Sequence, residues 1–309
     1  MRYRYYTADV FTTSRFGGNQ LAVITDAVGP DAVALTTHQM QQIAREFNYS
    51  ETVFILPARD TSCLCRLRIF TPDEELPFAG HPTIGAAFIL ARTGRLDFKA
   101  GRARVLLEEG AGPVPVEIDA EGDGDGAFHA TLTAPQLPVH RQVDLSITDL
   151  ARLIGVDPSE ILTGHFSPEA VSCGLPFLFI PLSSLAAIGR VVLDLEVWRR
   201  SLAGTWAPML ALFSFGSTHP GADLHVRVLC PGLGITEDPA TGSAAAALGG
   251  YLASRHSLAT GSLRWTIEQG IEMGRPSSLE IAVDKLEGSI VAVRVGGSAV
   301  AVMNGEIEV

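Results

Sequence analysis

Two segments of this chain are small and apolar on every side, and each follows a motif of the same pattern. The first motif is HPTIG at 81–85, and the second is DPATG at 238–242, about half a chain further on. A proline and a glycine occupy equivalent positions in both, and alanines follow both. A helix that is apolar all round must be buried all round. The pair therefore predicts two similar domains, each a sheet wrapped around one central helix, over 81–92 and 238–253.

The remaining patterns repeat the same order of elements in both halves. Residues 36–47 have apolar side chains at helical spacing, and strand patterns at 51–57 and 65–70 lead into the first apolar helix. A second helix pattern at 146–155, followed by further strands, precedes the second apolar helix. The 309 residues are enough for two hydrophobic cores. The predicted fold class is α+β, with two pseudo-symmetric domains that each have a mixed β-sheet.

Charge and composition exclude several classes of function. The net charge is −11 and no Lys/Arg cluster is present, so the chain is not expected to bind nucleic acid. The N-terminus lacks the apolar segment of a signal peptide, and the most apolar run, 243–253, is too short to span a bilayer. We therefore expect a cytoplasmic protein without a membrane partner. No metal ligands at the usual spacing, and hence no metal or cofactor, are predicted around the four cysteines, which are Cys63, Cys65, Cys173 and Cys230.

The starts of the two apolar helices are the expected substrate site. Proline favours the first position of a helix, which would put His81 and Asp238 at the N-caps. The first N–H groups of a helix have no partner inside it, and the helix dipole adds positive charge there, so both ends favour a small-molecule carboxylate. The further residues expected to line this site are Gly80, Thr83, Thr241, Gly242 and Ser243.

Four segments together resemble the phenazine-biosynthesis isomerase (PhzF-like) family. They are FGGNQLAV (16–23), REFNYSETVF (45–54), ELPFAGHPTIGAAF (75–88) and EDPATGSAAAAL (237–248), and they match collinearly over nearly the whole chain. The resemblance implies the diaminopimelate epimerase fold, with the active site between two domains, and it favours a homodimer.

The domain limits follow from this resemblance and from one loop-like hexamer. Residues 121–126 are rich in Gly and Asp, which indicates a domain boundary. The first domain is therefore expected at 1–121 and the second at 127–297. In the family's fold the C-terminal strand, about 298–309 here, returns to the first domain.

The resemblance also implies the chemistry. The family's best-studied member isomerises trans-2,3-dihydro-3-hydroxyanthranilate by moving a proton between carbons without a cofactor, and its acid/base glutamate maps to Glu46. Partial burial near the end of its helix would suit Glu46 to this role. His81 and Asp238 would position the substrate and assist proton movement, and Ser50 would orient Glu46 or the substrate. Glu51, at the start of a strand, is interpreted either as structural or as a residue that supports the catalytic groups without contacting the substrate.

Two alternatives remain open at this point. The chain could be an epimerase, racemase or dehydratase of an amino or hydroxy acid on the same fold. A racemase with two catalytic thiols is disfavoured, because neither helix-start motif contains cysteine. The other alternative is a non-catalytic homologue that only binds a metabolite.

Overall fold

The chain is described by a computed structural model that divides into two compact units. Unit 1 comprises Met1–Pro135 and Val295–Val309, and unit 2 comprises Gln136–Arg294. Both units combine helices with parallel and antiparallel strand pairs, so the α+β class is confirmed. The structure describes residues 1–27, 34–121, 127–233 and 235–309.

The helices and strands are distributed over the two units as follows. Unit 1 contains β1 (Arg2–Val10), β2 (Asn19–Ile24), α1 (Thr37–Phe47), β3 (Glu51–Leu56), β4 (Cys65–Phe70), β5 (Glu75–Leu76), α2 (Gly80–Arg92), β6 (Arg102–Glu109), β7 (Gly112–Glu121) and β8 (Ala127–Thr133). Unit 2 contains β9 (Val139–Arg141), α3 (Ile147–Ile154), β10 (Glu169–Ser172), β11 (Pro176–Leu182), α4 (Leu185–Gly189), α5 (Leu195–Ser201), β12 (Met209–Phe215), β13 (Leu224–Cys230), β14 (Ile235–Asp238), α6 (Gly242–Ser254), β15 (Gly261–Gln269) and β16 (Ser277–Leu286). The last strand, β17 (Ser289–Glu308), begins in unit 2 and ends in unit 1.

The strands of unit 1 form a closed ring around α2. Consecutive neighbours in this ring are β1, β2, β3, β4, β6, β7, β8 and β17, and β17 pairs again with β1. Helix α2 packs against strands of this ring and is buried from Gly80 to Ala91. A helix without a polar face is stable here because strands surround it.

Unit 2 has a comparable arrangement around α6. Its strands pair in the order β9, β10, β11, β12, β13, β15 and β16, with β14 beside β13, and α6 packs on β10, β11, β15 and β16. A second apolar core lies between β11, β12 and helices α3 to α5, where Trp198 packs.

Glycines allow the strands to approach both central helices closely. A Cβ added at Gly85 of α2 would lie 2.4 Å from Leu21 Cδ2, and one at Gly249 of α6 would lie 2.5 Å from Ile281 Cγ2. Contacts that short force a side chain or the helix to move. The small residues that made both segments recognisable in the sequence are therefore required by packing.

The boundary between the compact units differs from the expected one. Strand β8, expected in the second domain, belongs to unit 1. It pairs antiparallel with β7. Its Phe128 packs edge-to-face on Phe88 of α2, with 6.2 Å between the ring centroids. These contacts place the division at 135/136, beyond the Gly- and Asp-rich hexamer, of which 122–126 lie outside the described residues.

The C-terminal segment of β17 completes unit 1. It runs antiparallel to β1, with Arg2 opposite Glu308 and Val10 opposite Ala299. Unit 1 takes up the chain again at Val295, three residues before the expected return at 298.

Across the described residues, every helix falls short of the length and apolar character that crossing a bilayer would require.

Candidate active site

Helix α1 presents Glu46 to solvent. The helix begins after a Thr36–Gln39 capping box and ends at Asn48, which has a left-handed backbone with φ of 51°. Its buried residues are Met40, Ile43 and Ala44, and Glu46 lies off this stripe and is exposed. The expected partial burial of Glu46 is therefore wrong. The half-buried Ser50, three residues beyond the helix, has interactions within the chain.

Glu51, in contrast, is buried at the first position of β3. Only 8% of this residue is exposed, and its backbone pairs in parallel with Leu21 of β2. Its Oε2 atom lies 3.3 Å from Nε2 of His81. The structure thus brings His81 together with Glu51, which was expected to be structural or to support the catalytic groups.

His81 lies inside the first turn of α2. The helix begins at Gly80, and Ala79 is the N-cap, so the expected N-cap position of His81 is wrong. The helix can start two residues earlier than expected, at Gly80 instead of Pro82, because proline is tolerated anywhere in the first turn, where N–H groups lack intrahelical partners. The ring is 4% exposed, and its Nδ1 lies 3.2 Å from Nδ2 of Asn19. Burial lowers the pKa of His81 to about 3, so the imidazole is neutral at physiological pH.

Thr83 does not face an approach to the helix start. It is fully buried, and its Oγ1 lies 2.7 Å from the carbonyl oxygen of Ala79 and 2.6 Å from Oε1 of Glu109. The expected role of Thr83 in substrate binding is not supported, because its hydroxyl is occupied by contacts inside unit 1. No side chain caps the start of α2, which leaves the N–H groups of Gly80 and His81 without partners inside the helix.

Glu109 is a buried acid that the sequence analysis missed. It ends β6, it is 5% exposed, and burial raises its pKa to about 8 despite hydrogen bonds from Thr83 and the Ala79 N–H. The two consecutive glutamates at the end of a strand carry no sequence signal that one of them is buried. Protonated Glu109 can donate to Thr83, whose own hydroxyl then donates to Ala79.

We expect Glu109 to make the protein less stable as the pH rises. The folded chain keeps the Glu109 proton up to about pH 8, whereas the unfolded chain releases it near pH 4.5. Between these values the folded state binds more protons, so this group lowers the free energy of unfolding as pH increases, by at most about 1.4 kcal/mol per pH unit. Between pH 5.5 and 7.5, the free energy of unfolding measured with urea should fall less steeply with pH for Glu109→Gln than for the wild type. The control Glu117→Gln, at a half-buried site, should follow the wild type. If the free energy of unfolding had the same pH dependence in the wild type and in Glu109→Gln, the raised pKa assigned to Glu109 would be contradicted.

In unit 2, Asp238 ends β14 and does not cap α6. The helix begins at Gly242 with Thr241 as its N-cap, so the expected N-cap position of Asp238 is wrong. The residues between strand and helix form a turn in which Thr241 Oγ1 donates to Asp238 Oδ2 at 2.5 Å. Pro239 therefore precedes the helix, unlike Pro82 in α2. Both Asp238 and Thr241 are buried, with 7% and 8% of their surfaces exposed.

Gln269 holds this turn from the end of β15. Its side-chain oxygen accepts from the Thr241 N–H at 3.1 Å. Its Nε2 donates to the carbonyl oxygen of Asp238 at 2.7 Å and to Thr241 Oγ1 at 3.0 Å. Gln269 is completely buried, and no sequence signal identified it, because a glutamine before a glycine indicates only a turn.

Charged neighbours fix the strand ends on both sides of this turn. Arg227 donates two hydrogen bonds of 2.8 Å to the carboxylate of Glu237. His225 is buried between Glu268 at 2.7 Å and Glu272 at 2.9 Å, and these carboxylates raise its pKa against the effect of burial. The residues that flank Asp238 and Gln269 are thus anchored by ion pairs.

Helix α6 also begins without a side-chain cap. Gly242 is buried, and Ser243 is half-buried in the first turn. The first N–H groups of this helix are oriented as in an anion-binding helix start. Among the described residues, no group of three His, Cys, Asp or Glu side chains is arranged to hold a metal ion.

Comparison with known proteins gives consistent matches over the whole chain. The family model described as "Phenazine biosynthesis-like protein" matches residues 8–305. An uncharacterized isomerase of Mesorhizobium japonicum is 39% identical, over 98% of both chains. The trans-2,3-dihydro-3-hydroxyanthranilate isomerase of Pseudomonas aeruginosa is 33% identical, also over 98% of both chains. The crystal structure of a PhzF-family phenazine biosynthesis protein of Bacillus anthracis matches with a TM-score of 0.87 and 24% identity, covering 100% of both chains.

Proposed function

Because this chain belongs to the phenazine biosynthesis-like (PhzF) family and is an isomerase, we propose that it moves a proton between two carbons of a small carboxylic acid. A compound similar to dihydro-hydroxyanthranilate fits this proposal, since relatives named for that reaction match over the chain's full length. The single observation that carries the residue assignment is the buried contact between Glu51 and His81.

Glu51 is the proposed acid/base. A carboxylate takes the proton from one carbon, the electron pair of the broken C–H bond moves into the adjacent π system, and the proton returns to another carbon. The substrate is neither oxidised nor reduced, so the reaction needs no further reactant. Such a group must be held in position and shielded from bulk water, and 8% exposure at the start of a strand suits Glu51 to this role better than exposed Glu46. Glu46 is the rival candidate, because the family resemblance maps the acid/base glutamate to it.

The neutral His81 imidazole is proposed to position Glu51 and to relay its proton. Asp238 is proposed to bind a polar substituent of the substrate. The backbone N–H groups in the uncapped first turns of α2 and α6 are proposed to donate hydrogen bonds to the carboxylate of the substrate. This proposal rests on the two pseudo-symmetric domains that the sequence repeat and the family resemblance imply. It includes Gly80, Gly242 and Ser243 as binding residues and places Ser50 beside the acid/base.

Deuterium uptake tests the proposed reaction. The protein is incubated with trans-2,3-dihydro-3-hydroxyanthranilate in D₂O, and the position of the label is read by NMR. Deuterium at a new C–H position is the expected result. Racemisation would exchange only the proton at the α-carbon, and that outcome would favour the epimerase or racemase alternative over the proton shift.

Cysteine chemistry is not expected to contribute. All four cysteines are buried thiols, and burial raises the pKa values of Cys65 and Cys173 to about 12. Thiols with such values are not ionised near neutral pH and are poor proton acceptors.

Replacement of all four cysteines by Ala or Ser should therefore leave the turnover of the folded enzyme nearly unchanged. Removal of a proton-transfer group would instead cost about 10²–10⁴-fold. The measurement is deuterium uptake per folded molecule, with folding checked by circular dichroism. Lost exchange in a folded cysteine-free variant would point to a thiol mechanism and contradict the proposal.

The family resemblance further supports a homodimer. Sedimentation of the full chain tests this separately from the reaction.

A further inference from the structure

We propose that unit 1 has a second binding site, which takes a small organic anion bearing carboxylate or phosphate groups. The site is a cavity of about 510 Å³ beside the first turn of α1, and its cationic wall consists of Arg59, Arg66 and Arg68. Neither Glu51 nor His81 lines it. The inference is therefore independent of the proposed function.

The strand pattern of β4 places two of these arginines on one face. Cys65, Leu67 and Ile69 are buried, whereas the alternating Arg66 and Arg68 are half-buried. Side chains two residues apart on a strand lie on the same side of the sheet. The alternation that identified β4 in the sequence therefore also builds the cationic wall.

Two of the acidic groups at the cavity already have partners. Arg68 is paired with Glu75 through hydrogen bonds of 2.7 and 2.5 Å, and it also donates to Thr37 Oγ1 at 3.0 Å. Glu108 accepts the backbone N–H groups of Arg59 and Asp60 at 2.6 and 3.0 Å. These hydrogen bonds occupy carboxylate oxygens of Glu75 and Glu108 that could otherwise accept from Arg66.

The third acid, Glu109, adds no negative charge at neutral pH. Burial holds its pKa at about 8, so the carboxyl is mainly protonated at pH 7. Three guanidinium groups therefore line the cavity beside the carboxyl groups of Glu75, Glu108 and the mainly protonated Glu109, so its cationic groups outnumber its other acids. Thr37, the first residue of α1, also lines it, and the helix dipole adds positive potential there.

Arg66 provides an unsatisfied donor at the cavity. Its Nε atom is buried and has no hydrogen-bond partner among the described parts of the chain. Burial, together with repulsion from Arg59 and Arg68, lowers its pKa, while Glu108 and Glu75 only partly oppose this effect. An unsatisfied buried donor on a charged group is costly, and a bound carboxylate or phosphate would satisfy it.

The dimensions of the cavity select the ligand class. A volume of about 510 Å³ lies in the range of small-molecule pockets and exceeds what one inorganic phosphate needs. Most of the lining side chains are charged, so an apolar ligand is not favoured. A metabolite with two or more anionic or hydroxyl groups fits best.

Isothermal titration of the full chain with citrate, glucose 6-phosphate and inorganic phosphate tests the site. Citrate supplies carboxylates only, and glucose 6-phosphate supplies a phosphate on a polar body, so the two probes separate the sources of charge. At low ionic strength, at least one of them should bind with a Kd of about 1 mM or tighter, and added salt should weaken binding.

Arg66→Met keeps the length of the side chain without its charge and should weaken that binding by about tenfold or more. Arg59→Met, at an exposed position, should weaken it with little risk to folding. Arg104→Met is the matched control, because Arg104 forms an exposed ion pair with Glu117 on the same unit. Absence of binding by all three probes would overturn the site. So would wild-type affinity in both the Arg66 and Arg59 variants, or an equal loss in the Arg104 control.

Discussion

Glu51→Gln is expected to reduce proton exchange between substrate and solvent by about 10²–10⁴-fold, the usual contribution of a positioned acid/base. The amide keeps the size of the side chain and can still contact His81, which lies 3.3 Å away, but it cannot accept the proton from carbon. Binding of a substrate-like carboxylate should persist. The measurement is the rate of deuterium uptake in D₂O, alongside the affinity for the carboxylate.

Glu46→Gln is the matched control for this experiment. The two glutamates lie five residues apart, and the same atoms change in both variants, but Glu46 is exposed. Its variant should exchange at nearly the wild-type rate. If Glu46→Gln were the inactive variant and Glu51→Gln the active one, the acid/base would be Glu46, as the family resemblance first suggested. Activity in both variants would rule out a single catalytic glutamate among these two.

Gln269→Leu should lower the free energy of unfolding by several kcal/mol. Leucine is similar in size but leaves the Thr241 N–H and the Asp238 carbonyl unsatisfied in a buried site, and each such group costs about 1–3 kcal/mol. The turn that carries Asp238 should also loosen. The measurement is the midpoint of urea unfolding, together with kcat and KM on the deuterium-exchange substrate.

Two further variants separate positioning from general destabilisation. Gln136→Leu, at an exposed position, should leave both stability and turnover nearly unchanged. Asp238→Asn should impair turnover more than it impairs stability, since it keeps the backbone carbonyl that Gln269 holds. If Gln269→Leu unfolded at the wild-type urea concentration, the hydrogen bonds around Thr241 would not contribute as the structure indicates.

Much of the architecture was predictable because it depends on local patterns. The α1 capping box, the alternation of β4 and the all-apolar character of α2 each follow from neighbouring residues. Gly85 and Gly249, each within one of the small apolar segments, mark the places where strands approach the two helices. Periodicity, capping and small residues act within a few positions, so one sequence is enough to read them.

The starts of the central helices were only partly predictable. The preference of proline for the first helical position predicted the right region for each helix start but the wrong N-cap residue. The helix start at Gly80 depends on the tolerance of the first turn for Pro82. The start at Gly242 depends on hydrogen bonds that Thr241 and Asp238 form with Gln269, which lies in a distant strand.

By itself, the sequence determined the α+β class and the two central helices, and it predicted the region of the candidate site, because these follow from periodicity and from motifs of adjacent residues. Only the tertiary structure decided that Glu51 rather than Glu46 is buried beside His81, that Thr83 turns to Glu109, and that Gln269 holds Asp238 and Thr241. Burial and hydrogen-bond partnership depend on which strands become neighbours. That depends on residues far apart in the chain, and the spacing of two nearby glutamates contains no information about it.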